Sequence, residues 1–395
     1  MTSLFSLRPR KMRRFYFWAR GEGDLLTQDR EYMQMAIQLA KMARGQTNPN
    51  PAVGALLVKS GRVIGMGAHL KAGEAHAEIH ALQMAGLEAK DSTMYVTLEP
   101  CAHHGKTPPC VDAIIRAEVK KVVVAMQDPF EKVAGLGISK LREAGIEVEV
   151  GVQHEHAEAL NQPFFHFVKT GLPFVTLKLA ATLDGYTAAS TGDSLYITST
   201  ASREEVHRLR SRVDAIVVGV ETVRKDDPQL TVRLGEETKS PVRIVLDSYL
   251  RIPMDSRLVM DQRSHTMIVT TELAPIDKEI MLKEQGIEVV RLPSQNEHVP
   301  LREAMRFLAT KGYLHLLLEG GQRVASAFME DKLVNQVWIF HAPKLLGGGN
   351  GLLSWRHPLT MQEAFELNHV EHRIFDQDVL TIGDVVYPDS LTGGE

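Results

Sequence analysis

Short apolar runs of strand length alternate with segments of helical periodicity along almost the whole chain, and this alternation is the strongest constraint on the fold. The predicted strands cover residues 53–58, 63–67, 94–98, 122–125, 146–150, 174–180, 215–220, 242–246, 266–269, 315–318 and 337–340. The first predicted helix is capped by Asp29 and ends at Gly45, and the others cover residues 77–87, 111–117, 137–144, 154–171, 202–213, 277–285, 301–310 and 322–331. Strands that alternate with helices form α/β sheets, so the chain is predicted to be an α/β protein.

The length of 395 residues indicates two domains, because single hydrophobic cores stop growing near about 250–300 residues. An amphipathic, Phe-rich segment lies between the two runs of strands and is predicted to be a linker helix that Gly171 and Pro173 end. The predicted organisation is a disordered extension over 1–28, a first domain over 29–152, the linker over 153–172, a second domain over 173–388 and a tail over 389–395.

Charge and composition exclude several classes of function. The formal net charge is −4, whereas a protein that binds a nucleic-acid polymer usually carries a basic excess. A small phosphorylated molecule stays compatible with this charge, because a few arginines suffice to bind it. The sequence contains no run of about 18 consecutive apolar residues, so no membrane-spanning helix is predicted. The two cysteines fit reduced thiols rather than a disulfide scaffold, which predicts a cytoplasmic protein.

Three short segments carry a candidate metal site. His76-Ala77-Glu78 opens a predicted helix, Pro100-Cys101 follows a predicted strand, and Cys110 opens the next helix. One imidazole and two thiolates form a three-ligand zinc site that leaves a position for water, which is typical of catalytic zinc. Glu78 is the predicted catalytic residue, since a carboxylate that does not bind the metal can transfer protons between water and a leaving amine.

This pattern is similar to the His-x-Glu and Pro-Cys-x-x-Cys signature of zinc deaminases, except that eight residues separate the two cysteines. A structural zinc site stays open as an alternative, because His103 or His104 would provide a fourth ligand. The tripeptide His-Ala-Glu recurs at residues 156–158, but no Pro-Cys follows it, and this second copy is predicted to be solvated surface.

The segments 47–54 (TNPNPAVG), 76–78 (HAE) and 99–110 (EPCAHHGKTPPC) resemble the deaminase domain of bifunctional riboflavin-biosynthesis deaminase–reductases. The resemblance extends over residues 29–388 and implies a cytidine-deaminase-like α/β/α domain followed by a dihydrofolate-reductase-like α/β domain. It implies that the first domain removes an amino group from a diamino-pyrimidinone that carries a ribosylamino 5-phosphate. The substrate contacts that it implies there are Asn50, His69, Lys106 and Asp128.

The sequence of the second domain by itself contains few motifs that indicate a function. No strand is followed by Gly-x-Gly-x-x-Gly, and the strand–Gly-Gly–helix pattern around Gly320 and Gly321 is a weak signal for a pyrophosphate site. The segments 176–178 (TLK), 182–185 (TLDG), 192–194 (GDS), 219–223 (GVETV), 226–233 (DDPQLTVR) and 342–348 (APKLLGG) resemble the reductase domain of the same family.

The resemblance implies that the second domain uses NADPH to reduce the ribosyl group to a ribityl chain. Asp226 is implied as a catalytic or orienting acid. The implied substrate contacts are Ser194, Arg210, Leu230 and Arg233, and the implied cofactor contacts are Lys178, Tyr196, Thr222, Asp226, Ser248, Glu319, Gly320 and Gly321. The chain departs from the family pattern at two positions on the implied cofactor side. Tyr196 stands where the family commonly has Trp, and Glu221 stands where the residue is often small.

The predicted function is therefore zinc-dependent deamination followed by reduction, with one zinc ion and NADPH as cofactors. Homo-oligomers through the second domain are expected from the resemblance. The alternatives are a zinc deaminase with an inactive second domain, a deaminase of nucleic-acid bases, and a zinc-stabilised binding module without catalysis.

Overall fold

The computed structural model describes residues 22–103, 108–130, 134–193, 196–235, 240–354 and 360–388. Within these residues the chain forms one sheet of five strands, one of nine and a small one of two. This architecture confirms the predicted α/β class. No helix in the described part of the chain combines the length and the apolar character needed to cross a lipid bilayer.

The five-stranded sheet has the order β2-β1-β3-β4-β5. Its strands are β1 Gly54–Lys59, β2 Arg62–Ala68, β3 Thr93–Val96, β4 Lys121–Val124 and β5 Glu147–Val150. The helices around it are α1 Glu22–Met42, α2 Ala77–Ala85, α3 Cys110–Arg116 and α4 Leu136–Glu143. Successive residues of β1 point to opposite faces, so Ala55 and Leu57 pack with α2 and α3 while Leu56 and Val58 pack with α1. The sheet is thus covered on both faces, as the α/β/α prediction requires.

The first helix begins seven residues earlier than predicted, at Glu22 instead of Asp29. Asp29 does not cap it, because its carboxylate faces the sheet. Asp29 Oδ1 accepts a hydrogen bond of 2.5 Å from the Tyr95 hydroxyl, and Oδ2 lies 3.6 Å from Lys121 Nζ. The predicted disordered extension therefore overlaps the helix at residues 22–28, and its remainder lies outside the described residues.

The linker is two helices, α5 His154–Leu160 and α6 Gln162–Thr170, where one helix was predicted. Asn161 separates them at φ −117° and ψ 18°. Its side chain accepts a hydrogen bond of 2.8 Å from the Ala52 N–H and donates one of 2.9 Å to the Ala52 carbonyl. Pro163 then lies in the first turn of α6, where its missing N–H costs nothing. Side-chain bonding to the segment just before β1 thus accompanies the end of α5, an effect that periodicity does not reveal.

The nine-stranded sheet has the order β11-β10-β9-β8-β12-β6-β13-β16-β15. Its strands are β6 Phe174–Thr182, β8 Ala215–Gly219, β9 Val242–Leu246, β10 Thr266–Thr271, β11 Glu288–Leu292, β12 His315–Leu318, β13 Gln336–Ala342, β15 Glu366–Phe375 and β16 Asp378–Val386, and β7 Tyr186–Ala188 pairs with β14 Asn350–Gly351. Its helices are α7 Thr200–Arg210, α8 Val220–Asp226, α9 Arg257–Met260, α10 Ile276–Glu284, α11 Leu301–Thr310 and α12 Gln322–Glu330.

The strands from β11 to β13 run parallel, and β16 and β15 extend the sheet antiparallel. The chain leaves β6, fills the sheet from β8 outward to β11, and returns to insert β12 between β8 and β6. The direction of winding therefore reverses beside β12. Open α/β sheets bind ligands outside the carboxyl ends of their strands at such a reversal.

Candidate active sites

Three ligand atoms meet beside the five-stranded sheet. His76 is the N-cap residue of α2, Cys110 is the first residue of α3, and Cys101 lies in the loop after β3. His76 Nδ1 lies 3.1 Å from Cys110 Sγ and 3.6 Å from Cys101 Sγ. In a tetrahedral site with usual bond lengths, zinc holds a nitrogen and a sulfur ligand about 3.6 Å apart. The predicted triad therefore has the spacing that a zinc ion needs.

The thiols of Cys101 and Cys110 interact with each other. A hydrogen bond from the Cys110 thiol lowers the pKa of Cys101 to about 4, and the same bond raises the pKa of Cys110. Both cysteines are free of disulfides. A metal cation bound between these side chains would have two sulfur atoms and one imidazole nitrogen as ligands. This donor set suits zinc better than a hard cation such as Mg²⁺.

The alternative of a four-ligand structural site has little support in the described residues. The only group of potential metal ligands found there is His76, Cys101 and Cys110, whose ligand atoms all lie within 4.8 Å of one another. His103 is exposed and does not belong to this group, and His104 lies outside the described residues. The second His-Ala-Glu copy lies on α5, where His156 is exposed and Glu158 pairs with His154 at the surface, as predicted, whereas Ala157 is buried against the first domain's core.

Glu78 is positioned to move protons beside the triad. It lies in the first turn of α2, its residue is 3% exposed, and its Oε2 has no hydrogen-bond partner among the described residues. Burial raises the pKa of its carboxyl to about 7. A buried carboxyl with a vacant oxygen atom needs a partner that the protein does not provide, and a water on the metal would be one.

Two predicted substrate contacts lie together beside the metal ligands. Asn50 Nδ2 is 3.1 Å from His69 Nε2, and His69 Nδ1 is 3.2 Å from the Ala75 carbonyl. The carbonyl therefore takes the Nδ1–H, and Nε2 faces the amide as an acceptor. The His69 ring stands edge-on to the His76 ring with a centroid distance of 5.2 Å, and burial lowers the pKa of His69.

Asp128 is held by a residue that the sequence reasoning did not single out. Buried Glu99 accepts backbone hydrogen bonds through Oε2 from Asp128 and Gly135, and through Oε1 from Gly137 and Ile138, at 2.8–3.2 Å. Glu99 thus fixes the loop after β4 to the start of α4. Burial raises the pKa of the Asp128 carboxyl. Only the position of Glu99 directly before Pro100-Cys101 could have drawn attention to it. Lys106 lies outside the described residues.

A second site is an open cleft of about 330 Å³ beside the nine-stranded sheet. It contains four residues predicted from the resemblance, and its lining consists of Arg210, Asp226, Asp227, Pro228, Gln229, Leu230, Arg233 and Arg257. Asp226 ends α8, and burial raises the pKa of its carboxyl. Leu230 adopts a positive φ of 52°. Arg233 is exposed, and Arg257 was not among the predicted contacts.

Arg210 is already engaged by another predicted residue. Its Nε and Nη2 donate to the two carboxylate oxygens of Glu319 at 2.6 and 2.8 Å, and its Nη1 donates to the Thr231 carbonyl at 3.1 Å. The Arg210 side chain is only 12% exposed, which excludes the simpler interpretation as a solvated surface charge. Burial lowers the pKa of nearby Lys178, while Arg210 and Lys178 hold the pKa of Glu319 below its usual range despite burial.

The predicted cofactor residues collect at the carboxyl ends of neighbouring strands. Thr222 follows β8, Ser248 follows β9, and Gly320 and Gly321 follow β12. A Cβ at Gly320 would lie 3.1 Å from Val324 Cβ, so the glycine allows α12 to pack closely. Gly321 is the N-cap of α12, and no side chain caps that helix. The free N–H groups and the helix dipole fit the pyrophosphate of a dinucleotide. The Ser248 hydroxyl accepts a hydrogen bond of 3.1 Å from the Val299 N–H.

Tyr196 and Glu221, the two residues that depart from the family pattern, have different surroundings. Tyr196 is 65% exposed, and the Arg203 guanidinium stacks 4.4 Å from its ring centroid. Glu221 pairs with Arg224 at 3.1 Å and with Arg251 at 2.9 Å. Its extra charge is thus balanced locally by two arginines. Ser194 lies outside the described residues.

Comparisons with known proteins match both parts of the chain. Residues 173–381 match the RibD C-terminal domain family, and residues 26–126 match the cytidine and deoxycytidylate deaminase zinc-binding region. The chain is 46% identical to the riboflavin biosynthesis protein RibD of Bacillus amyloliquefaciens over 80% of this chain and 85% of that protein.

Two solved structures share the whole fold. Acinetobacter baumannii RibD (form 1) is similar with a TM-score of 0.80 at 38% identity, over 91% of this chain and 99% of that chain. A Thermotoga maritima protein described as a diaminohydroxyphosphoribosylaminopyrimidine deaminase/5-amino-6-(5-phosphoribosylamino)uracil reductase is similar with a TM-score of 0.80 at 35% identity, over 92% of this chain and 100% of that chain.

The fold and the first site define a zinc-dependent deaminase that continues into a reductase domain of the kind that uses NADPH. The chain belongs to the RibD family of riboflavin biosynthesis proteins and is a bifunctional deaminase and reductase of that pathway. These similarities do not favour the alternative in which the second domain is inactive.

Proposed function

We propose that this protein first deaminates a diamino-pyrimidinone carrying a ribosylamino 5-phosphate and then reduces its ribosyl group to ribityl. The observation that carries the proposal is the placement of buried Glu78, with a vacant carboxylate oxygen, beside the His76, Cys101 and Cys110 triad on the same chain as an arginine-lined cleft. The name of the Thermotoga maritima neighbour supports this substrate and both reactions.

In the deamination step, His76, Cys101 and Cys110 would hold zinc, which would supply a water that is activated near neutral pH. Glu78 takes a proton from this water and transfers it to the leaving amine, so that a C–O bond replaces a C–N bond and ammonia leaves. Its pKa near 7 suits both transfers. The amide of Asn50 holds the pyrimidine, and His69 fixes the orientation of that amide. Asp128 and Lys106 are proposed as further contacts.

In the reduction step, bound NADPH would supply the hydride that the sugar carbon accepts. Arg233 and Arg210 line the cleft and would bind the substrate phosphate, with Ser194 as a further contact. Leu230 shapes the same cleft, and Asp226 would orient the sugar or exchange its proton. Thr222, Ser248, Gly320, Gly321 and Tyr196 would line the cofactor side, with Lys178 and Glu319 between cofactor and substrate.

Replacement of Arg233 by Ala is expected to raise the reductase KM for the phosphorylated substrate by about tenfold or more, because a charge-assisted hydrogen bond contributes about 1.5–3 kcal/mol. The KM for NADPH and the deamination rate should stay unchanged. Steady-state kinetics of the two steps measure this directly. Arg302→Ala is a matched control, since Arg302 donates to the Asp331 carbonyl and does not line the cleft. An unchanged KM in the Arg233 variant would remove this residue from the phosphate site.

We also propose an oligomeric state for this protein. β15 lies at the edge of the nine-stranded sheet and exposes Val370 (47%) and Ile374 (75%), which supports a homo-oligomer through the second domain. Light scattering at working concentration tests this, and a monomer would refute it. The cytoplasmic location and the boundaries at residues 29–152, 153–172 and 173–388 stay predictions.

Mass spectrometry of the reaction products tests the whole proposal. Zinc-loaded protein is incubated with the diamino-pyrimidinone ribosyl phosphate, first without and then with NADPH. Conversion of the amine to a carbonyl without NADPH, followed by a gain of two hydrogens once it is added, is the expected result. If the compound is unchanged under both conditions, the proposed substrate is wrong.

A further inference from the structure

A side chain of the reductase half contacts the turn that carries a substrate residue of the deaminase half. The turn comprises residues 47–50, and the side-chain amide of Asn48 donates a hydrogen bond to Asp214 Oδ1. Asp214 directly precedes β8 of the nine-stranded sheet. Its other carboxylate oxygen, Oδ2, accepts hydrogen bonds from the N–H groups of Leu314 at 2.8 Å and His315 at 2.9 Å.

Asp214 is held rigidly by the strands on both sides of β8. Its backbone N–H donates to the His315 carbonyl at 2.9 Å, and its carbonyl accepts from the Val242 N–H at 3.0 Å. The adjoining backbone segments also pack tightly against each other. A Cβ added at Gly45 would lie 3.0 Å from the Ser211 carbonyl oxygen. The carboxylate that receives Asn48 is therefore a fixed point in the second sheet.

The turn connects this fixed carboxylate to the deaminase site through only a few residues. The Asn50 N–H donates to the Thr47 carbonyl at 2.9 Å, which closes the turn around Asn48. The Asn50 side chain then lies 3.1 Å from His69 Nε2, and the His69 ring contacts the ring of the zinc ligand His76. A displacement of Asn48 would thus move Asn50 relative to the metal.

We propose that Asp214, although part of the reductase half, is a positioning residue for the deaminase, because it fixes the turn that presents Asn50 to the pyrimidine. This inference rests on the role proposed above for Asn50. Asp214 has no contact with the reacting atoms and acts through Asn48. The deaminase site is then complete only when the second sheet is in place beside it, which gives a physical reason for the two activities to remain on one chain.

An exchange of the two polar side chains tests the proposal in the full-length, zinc-loaded protein. Asn48→Asp places two carboxylates against each other and should raise the deaminase KM by about tenfold, the scale of one charge-assisted hydrogen bond. The turnover number should change by less than about threefold, since Glu78 and the triad are untouched. In Asn48→Asp/Asp214→Asn the new amide donates to residue 48, and its oxygen still accepts from Leu314 and His315, so the KM should return close to the wild-type value.

Two further measurements separate positioning from folding and from the proposed function. The reductase KM for the deaminated substrate should be unchanged in Asn48→Asp. Asn50→Ala should raise the deaminase KM at least as much as Asn48→Asp. A wild-type KM in Asn50→Ala would refute the role of Asn50 and the inference with it. A raised KM in Asn50→Ala, together with a wild-type KM in Asn48→Asp or no recovery in the double variant, would overturn the inference alone.

Discussion

Replacement of Glu78 by Gln is expected to abolish deamination while the protein keeps its zinc. Gln has the same shape but cannot accept a proton, and loss of a general acid–base group costs about 10²- to 10⁴-fold in rate. Glu78 is buried, its Oε2 has no partner among the described residues, and burial raises its pKa to about 7. The proposed zinc ligands are His76, Cys101 and Cys110, so the substitution should leave the metal site intact.

The measurement combines the deamination rate with the zinc content of the purified variant. Glu158→Gln is a matched control, because Glu158 belongs to the second His-Ala-Glu copy on the surface of α5. It should deaminate at the wild-type rate. Supplied with deaminated substrate, Glu78→Gln should still reduce it with NADPH at the normal rate. A variant with zinc and normal deamination would leave Glu78 without a catalytic role, and zinc loss would make it a structural residue instead.

The zinc site was predictable because its geometry is set locally. His76 and Cys110 stand at the starts of helices, and Cys101 stands just beyond a strand. Hydrophobic periodicity locates such boundaries, and the chemistry of the three side chains then specifies the metal. Most helices and parallel strands were located for the same reason, since their apolar spacing is strong.

The remaining features depend on contacts between residues far apart in the sequence. Arg210 pairs with Glu319 across 109 positions, and Asn48 contacts Asp214 across 166 positions. No local pattern indicates that these side chains meet. The hairpin of β15 and β16 was missed because most side chains of β15 are exposed, which leaves no clear apolar alternation. The split of the linker at Asn161 likewise depends on bonding to Ala52, just before β1.

Replacement of Glu319 by Gln should destabilise the second domain and abolish reduction. Glu319 forms a bidentate ion pair with Arg210, their side chains are only 10% and 12% exposed, and Lys178 lies nearby. The substitution leaves two buried cations without their carboxylate, and removal of one partner of a buried pair costs about 3–5 kcal/mol of the free energy of unfolding. The guanidinium of Arg210 would also lose the partner that orients it beside the cleft, so the reductase rate should fall with stability.

Urea denaturation at two pH values measures this effect and its electrostatic origin. The pKa of Glu319 is lowered in the folded protein, so its stabilising contribution is fully present above the unfolded value of about 4.3 and is lost as pH falls through the folded value. The free-energy difference between wild type and variant should therefore be larger at neutral pH than near pH 3, which lies well below the unfolded value. Glu371→Gln is the matched control, because the Glu371–Arg373 pair is exposed and should contribute at most about 1 kcal/mol. Equal losses in the two variants, or a loss that does not depend on pH, would contradict a buried ion pair that supports the reductase site.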